Sequence, residues 1–262
     1  MLLTIDVGNT QIYVGVFDGD DIKASFRRAS SGAVTSDELG VFILQALHAN
    51  AIAARDIKDI AISSVVPALT RSIVNCAVKY FNVKPFVAGP GVKTSVKVPK
   101  GHVNGLGADR VCDIEAAMAL QPGKNLIIMD FGTANTFCAV SKTGVYLGGA
   151  IAAGIGMSMN ALANGAALLS NVEIKNPGRA AGMTTAAQLQ AGLFYSGLGA
   201  AKEICARLAR ECFKGQKYIS VGTGGFGRLY ESEGIFDVYA PDLVLTGLKA
   251  LAAKNAKGKK RR

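Results

Sequence analysis

The sequence has no tryptophan, only two histidines, five cysteines and just 18% charged residues. Each scarcity excludes something. His48 and His102 are too few for a multi-histidine metal centre. Cys76, Cys112, Cys138, Cys205 and Cys212 are odd in number, widely scattered and without a CxxC pair. That pattern fits neither a zinc knuckle nor a disulfide framework. It fits small apolar core residues in a reducing compartment, so a cytoplasmic protein is expected. No apolar run reaches the ~18 residues of a membrane span. The first residues, Met1-Leu2-Leu3-Thr4-Ile5-Asp6, lack the regions of a signal peptide. With half of its 262 residues hydrophobic, the chain is not a disordered one.

Glycine and positive charge are plentiful instead. The 31 glycines show no three-residue period, which excludes collagen and points to tight turns and close backbone approaches. The net charge of +10 raises an anionic partner such as nucleic acid. However, Lys254, Lys257, Lys259, Lys260, Arg261 and Arg262 concentrate six of those charges in residues 254–262. A tail of this kind reads as solvated and disordered, and it has no aromatic residue for base stacking. Nucleic acid is therefore not an expected partner.

The pattern of elements repeats. A buried strand at residues 2–5 stops at Asp6-Val7-Gly8-Asn9-Thr10, and strands at 11–17 and 22–28 complete a meander. Helical spacing follows at 37–51, a strand at 57–65, a helix at 68–80 and a short strand at 85–88. A second buried strand at 126–129 stops at Asp130-Phe131-Gly132-Thr133-Ala134, again followed by strands at 135–141 and 146–152. Helices at 184–208 and 242–254 and a strand at 218–221 complete the second half. This reads as an internal duplication, two α/β lobes with a ligand cleft between them. The expected boundaries are 1–121 for the first lobe, 122–253 for the second and 254–262 for the tail.

Four segments could carry chemistry. In Asp6-Val7-Gly8-Asn9-Thr10 a strand ends on an acid, a glycine admits close approach, and small polar residues follow. Backbone N–H groups and Asn or Thr side chains can donate to phosphate oxygens, and the acid can hold Mg²⁺ through water. An ordinary hairpin turn uses the same residue types. The second copy at Asp130 tips the balance toward phosphate binding. Neither copy is a Walker A loop, for want of its lysine. Val221-Gly222-Thr223-Gly224-Gly225 after a strand is either a simple turn or a close approach to a base or sugar. Gly105-Leu106-Gly107-Ala108-Asp109-Arg110 opens a helix at 111–120. Asp109 is there either a first-turn acid favoured by the helix dipole or a general base beside a cation.

Taken together, these residues resemble a type III pantothenate kinase, of the acetate and sugar kinase, Hsp70 and actin superfamily. The resemblance runs from Leu3 to Asn255. Its further matches are Ser63-Ser64-Val65-Val66-Pro67, Gly148-Gly149-Ala150-Ile151 and residues 185–192. It implies two actin-like (ribonuclease H-like) lobes with a nucleotide cleft. It also implies ATP-dependent phosphorylation of pantothenate to 4′-phosphopantothenate, the first step of coenzyme A synthesis. By the same resemblance Asp109 is the general base, and Gly107, Ala108, Asp109 and Arg110 bind pantothenate. Thr185 contacts substrate from a partner subunit of a homodimer. Asp6, Val7, Gly8, Asn9, Thr10, Gln11, Ile12 and Tyr13 form the first ATP loop, and Thr133 donates to a phosphate. Asp130 holds the monovalent cation, K⁺ or NH₄⁺, and Asp6 serves Mg²⁺. The chain departs from the family pattern in several places. No tyrosine stands in Val98-Pro99-Lys100-Gly101-His102, and Ala153, Thr184 and Asn135 replace a usual Pro, Asn and Thr. Two other readings remain. One is a different small-molecule kinase of the superfamily. The other is a non-catalytic regulatory protein that keeps the fold.

Overall fold

The structure is a computed structural model that describes residues 1–30, 34–99 and 106–256. It divides into two compact units, Met1–Ala116 with Val244–Arg262, and Ala117–Leu243.

The first unit is built on β1 (Leu2–Val7), which is central because both of its faces are covered. It pairs antiparallel with β2 (Gln11–Asp18) and parallel with β4 (Asp59–Ser64). With β3 (Asp21–Ala29) and β5 (Phe86–Val87) the sheet order is β3-β2-β1-β4-β5. Alternation along the strands sends Leu3, Ile5, Val7, Ile60 and Ile62 to one face. There they meet Leu39, Ile43 and Leu47 of α1 (Ser36–Ala49) and Leu69 and Ile73 of α2 (Pro67–Phe81). Thr35 starts α1 with a capping box: its Oγ1 accepts from Glu38 N at 3.2 Å, and its own N–H donates to the Glu38 carboxylate at 2.8 Å. Pro67, whose fixed φ suits a first turn, opens α2.

The other face takes α3 (Ala108–Leu120) and α6 (Leu243–Asn255). Cys112, Leu248 and Leu251 cluster with Ala61 and Ala88, and Leu245 packs with Tyr13 and Phe17. Here the structure departs from the sequence-based boundaries. The last helix follows the second lobe in sequence but packs in the first unit, where the small side chains of Ala61 and Ala88 leave room for its leucines. It also runs through Lys254 and Asn255, which are thus helical and not part of a solvated tail. Residues 257–262 of that tail lie outside the described residues.

The second unit repeats the plan. Here β6 (Asn125–Phe131) pairs antiparallel with β7 (Ala134–Val140) and parallel with β9 (Tyr218–Thr223). Flanked by β8 (Tyr146–Ala153) and β10 (Val238–Tyr239), the order β10-β9-β6-β7-β8 is that of the first sheet. The expected duplication is therefore present in strand order and strand direction, and two actin-like α/β lobes are the architecture. Phe194, Leu198 and Ala201 of α5 (Thr185–Leu208) cover Ile127, Met129 and Phe137.

Two elements escape the sequence pattern, β10 and α4 (Ile155–Gly165). The α4 segment has glycines at 156 and 165 and Ser158 and Asn160 among its Met, Ala and Leu helix formers, which weakens its helical signal. It is held from outside its own propensity. Ile155 is buried, Gly156 lies under the Phe226 ring, and Ser158 N donates to Gly154 O at 2.9 Å.

Candidate active site

The first polar turn joins β1 to β2. Asp6, half-buried, stands second from the end of β1, opposite Tyr13 on β2 and Ser63 on β4. Gly8 N donates to Gln11 O at 3.0 Å, which closes the turn. Ser30 braces it from β3's end: its N–H donates to Thr10 O at 2.8 Å and its hydroxyl to Gly8 O at 2.6 Å. A side chain at Gly8 would crowd the Gln11 carbonyl at 3.2 Å. Asn9, Thr10 and Gln11 are left facing solvent, while Val7 and Ile12 are buried in the core of the unit. The arginine Arg27 lies 3.4 Å over the Tyr13 ring, a cation–π contact that occupies that face. Of the predicted run from Asp6 to Tyr13, the side chains available to a ligand are thus Asp6 and the exposed trio.

The second segment opens α3. Val111 N donates to Gly107 O at 3.1 Å, and the Asp109 carboxylate accepts from Arg110 N at 2.8 Å. That carboxylate folds over Gly107, where any Cβ would collide with it. Asp109 is half-buried in the first turn, and Arg110 is buried. Far apart in sequence, Asp6 and Asp109 share a neighbourhood, as the Cys112 thiol reports. Burial drives its pKa well above the usual thiol value. The negative charges of Asp6, Asp113 and Asp109 add to that effect, and the nearby Ser63 hydroxyl works against it. Such a thiol is not a nucleophile. Asp113 and Ser63, both buried, were not singled out from the sequence as site residues. Asp113 follows Asp109 by one helical turn, which was the available signal.

The third turn joins β6 to β7. Asp130, again second from the strand's end, stands opposite Thr136 and Thr223. Gly224, at φ +93°, lies against the Asp130 carboxylate and the backbone of Phe131, where a Cβ would collide with both. Phe226 N donates to Phe131 O at 2.9 Å, and Gly154 N to Thr133 O at 3.1 Å. The turn that carries Thr133 is thereby clamped between two glycine contacts. This explains the 221–225 cluster: Gly222 gives way to the Phe236 ring and Gly224 to Asp130, and only Gly225 faces open space.

Thr185 begins α5 behind the N-cap Thr184, whose hydroxyl accepts from Ala187 N at 3.2 Å. It is exposed on the wall of an apolar cavity of about 670 Å³ between α4 and α5, lined also by Met157, Leu162, Leu189 and Leu193. The first unit thus brings together Asp6 and Asp109 with Gly107, Ala108 and Arg110, and the second unit brings together Asp130 and Thr133. Thr185 lies on the wall of the α4–α5 cavity of the second unit. Among the described residues, no three His, Cys, Asp or Glu side chains gather to hold a metal.

A family model described as type III pantothenate kinase matches residues 2–207. The chain belongs to the type III pantothenate kinase family. A relative so named from Elusimicrobium minutum is 51% identical over 97% of this chain and 99% of its own length. Family membership makes the chain a kinase enzyme. Among solved structures, a protein assigned to the Baf family of transcriptional activators from Campylobacter jejuni superposes with a TM-score of 0.60. It is 19% identical, over 97% of this chain and 98% of its own. A protein assigned as a 2-dehydro-3-deoxygalactonokinase from Sinorhizobium meliloti reaches 0.59 at 17% identity, over 100% of both chains. At these identities the likeness is one of fold alone.

Proposed function

We propose that the chain phosphorylates pantothenate with ATP, with Asp109 as general base. The observation that carries this reading is the placement of a half-buried carboxylate on a helix that also bears Arg110, in one unit with the Asp6 turn. In the reaction, the Asp109 carboxylate accepts the proton of the primary hydroxyl of pantothenate. The oxygen attacks the γ-phosphorus of ATP, and ADP leaves. Arg110, together with Gly107 and Ala108, binds pantothenate, whose carboxylate a guanidinium suits. Asn9, Thr10 and Gln11 with their backbone N–H groups suit ATP phosphates, and the Thr133 hydroxyl is a donor of the same kind.

Asp6 suits Mg²⁺ held through water, since Mg²⁺ keeps its hydration shell. When bound with ATP, Mg²⁺ neutralises phosphate charge. Asp130 with the surrounding backbone carbonyls offers an oxygen-only donor set, the kind that K⁺ takes. A homodimer is supported by the apolar cavity beside Thr185 and by exposed Ile151, Met157, Leu162 and Met183 in the second unit. In it Thr185 would serve the partner's substrate. Five free thiols agree with a reducing cytoplasm, and no described helix is long and apolar enough to cross a membrane.

The test is product identity. Purified protein with ATP, Mg²⁺, K⁺ and pantothenate is expected to release ADP and 4′-phosphopantothenate in equal amounts, by coupled assay and mass spectrometry. Turnover with another alcohol but none with pantothenate would overturn the reading.

A further inference from the structure

The buried carboxylate of Glu115 is unused by the chemistry above, although it lies on the helix that begins with Asp109. Six residues separate the two along α3, about 9 Å of rise. Glu115 is 3% exposed and fully engaged. Its Oε2 accepts from Thr94 Oγ1 at 2.8 Å and from Ser95 N at 2.9 Å, and its Oε1 pairs with Lys254 of α6. Lys254 also donates to Ser95 Oγ. One residue further on, Asn255 reads the backbone of Lys93 from both sides. Its Oδ1 accepts from Lys93 N at 2.8 Å, and its Nδ2 donates to Lys93 O at 2.9 Å. Residues 93–95 are therefore gripped by α3 on one side and by the end of α6 on the other. A second contact joins the same two helices without side chains. Gly247 of α6 lies so close to the Cys112 carbonyl of α3 that a Cβ there would overlap it.

These contacts fix α3 at two levels. Gly247 sets its distance from α6 within a turn of Asp109, and Glu115 sets its rotation and height farther along. A general base must be held to a fraction of an ångström, because a misplacement of about 1 Å costs on the order of 10²-fold in rate. A surface ion pair would be a poor tether. This carboxylate is buried, shared among three donors, and linked to two other segments of the chain. Glu115 is also an unusual expense in a helix that needs only apolar residues to pack, since a buried carboxylate must be fully partnered.

We propose that Glu115 is a positioning residue for the phosphoryl-transfer site, acting through Lys254 and residues 93–95 to hold α3 and hence Asp109. The proposal rests on the assignment of Asp109 as base in a pantothenate kinase. The test is Glu115→Gln in the full chain, assayed well below its melting temperature, with Ile73→Val as a control that weakens the core of the same unit elsewhere. Glu115→Gln is expected to lower kcat about tenfold, the scale of a sub-ångström displacement. The KM for ATP should stay within about twofold, since the Asp6 turn does not use this clamp. Hydrogen exchange at the Ser95 amide should quicken. Ile73→Val should lower Tm and leave kcat unchanged. A Glu115→Gln kcat equal to that of the parent, or a Ser95 amide that exchanges no faster, overturns the proposal. Should Glu115→Gln not fold, Lys254→Met removes the same ion pair from its half-exposed side and is judged by the same two outcomes. A parent protein with no pantothenate turnover fails at the earlier step. That result sinks the functional reading itself, whereas an active parent with an indifferent variant sinks only the role of Glu115.

Discussion

The two units share one strand order and place an aspartate at the same point of the same strand, yet the turns that follow are built differently. The turn after Asp6 is braced from behind by Ser30 and leaves Asn9, Thr10 and Gln11 in solvent. The turn after Asp130 is enclosed, with Gly154 against Thr133 and Gly224 against the carboxylate. A duplicated scaffold can thus present the same acid on an open loop in one unit and in a tight backbone cradle in the other. The contrast extends to what backs each turn. Behind Asp6 are aliphatic strands and helices, while behind Asp130 an aromatic cluster joins Phe131, Phe194, Tyr230 and Phe236.

This contrast can be broken by mutation, and the cradle should be the more sensitive side. Gly224→Ala adds a Cβ at φ +93° into Asp130 and Phe131. We expect it to destabilise the fold by about 1–3 kcal/mol in chemical denaturation, the scale of a strained backbone position. Asp130→Asn should keep the fold but lower kcat in K⁺ by about tenfold or more, the lower range for loss of one preorganised charge. Replacing K⁺ by Na⁺ should slow the parent and leave Asp130→Asn unaffected, and a parent indifferent to the exchange would remove the cation from Asp130.

On the open side the effects should be milder. Asn9→Ala is expected to raise the KM for ATP about fivefold, the worth of one hydrogen bond of ~1 kcal/mol, without moving the denaturation midpoint. A shifted midpoint with an unchanged KM would make the residue structural. Smallest of all should be Tyr230→Phe. Its hydroxyl is buried with no hydrogen-bond partner among the described residues, and burial pushes its pKa up to about 12. Removing an unsatisfied hydroxyl should leave stability unchanged or raise it by up to ~1 kcal/mol. A clear loss would mean that the hydroxyl is partnered in solution.

Much of this was legible in the sequence. Short buried runs stopping at Asp6 and at Asp130 located both central strands, and the repeat of the meander foretold the common sheet order. The family assignment followed from motif order and is borne out by the match over residues 2–207. What local pattern cannot express was missed. The α4 helix has its local signal interrupted by Gly156, Ser158 and Asn160, and it is anchored by buried Ile155 and the Phe226 ring. The α6 helix returns to the first unit because its leucines find small residues there, a long-range fact invisible to spacing. Lys254 looked like the first of a run of tail charges, but it partners a buried glutamate. For the glycines at 222 and 224 the sequence left open a simple turn or a close approach to a base or sugar, and the structure gives their space to Phe236 and Asp130.

The central claim is that Asp109 is the base of a pantothenate kinase. It is tested most directly by the kcat of Asp109→Asn against the parent, with saturating ATP, Mg²⁺, K⁺ and pantothenate. An intact denaturation midpoint, retained pantothenate binding and a fall in kcat of at least ~10²-fold is the predicted result, the usual scale for losing a general base. A folded Asp109→Asn variant that turns over pantothenate at the parent rate would contradict it.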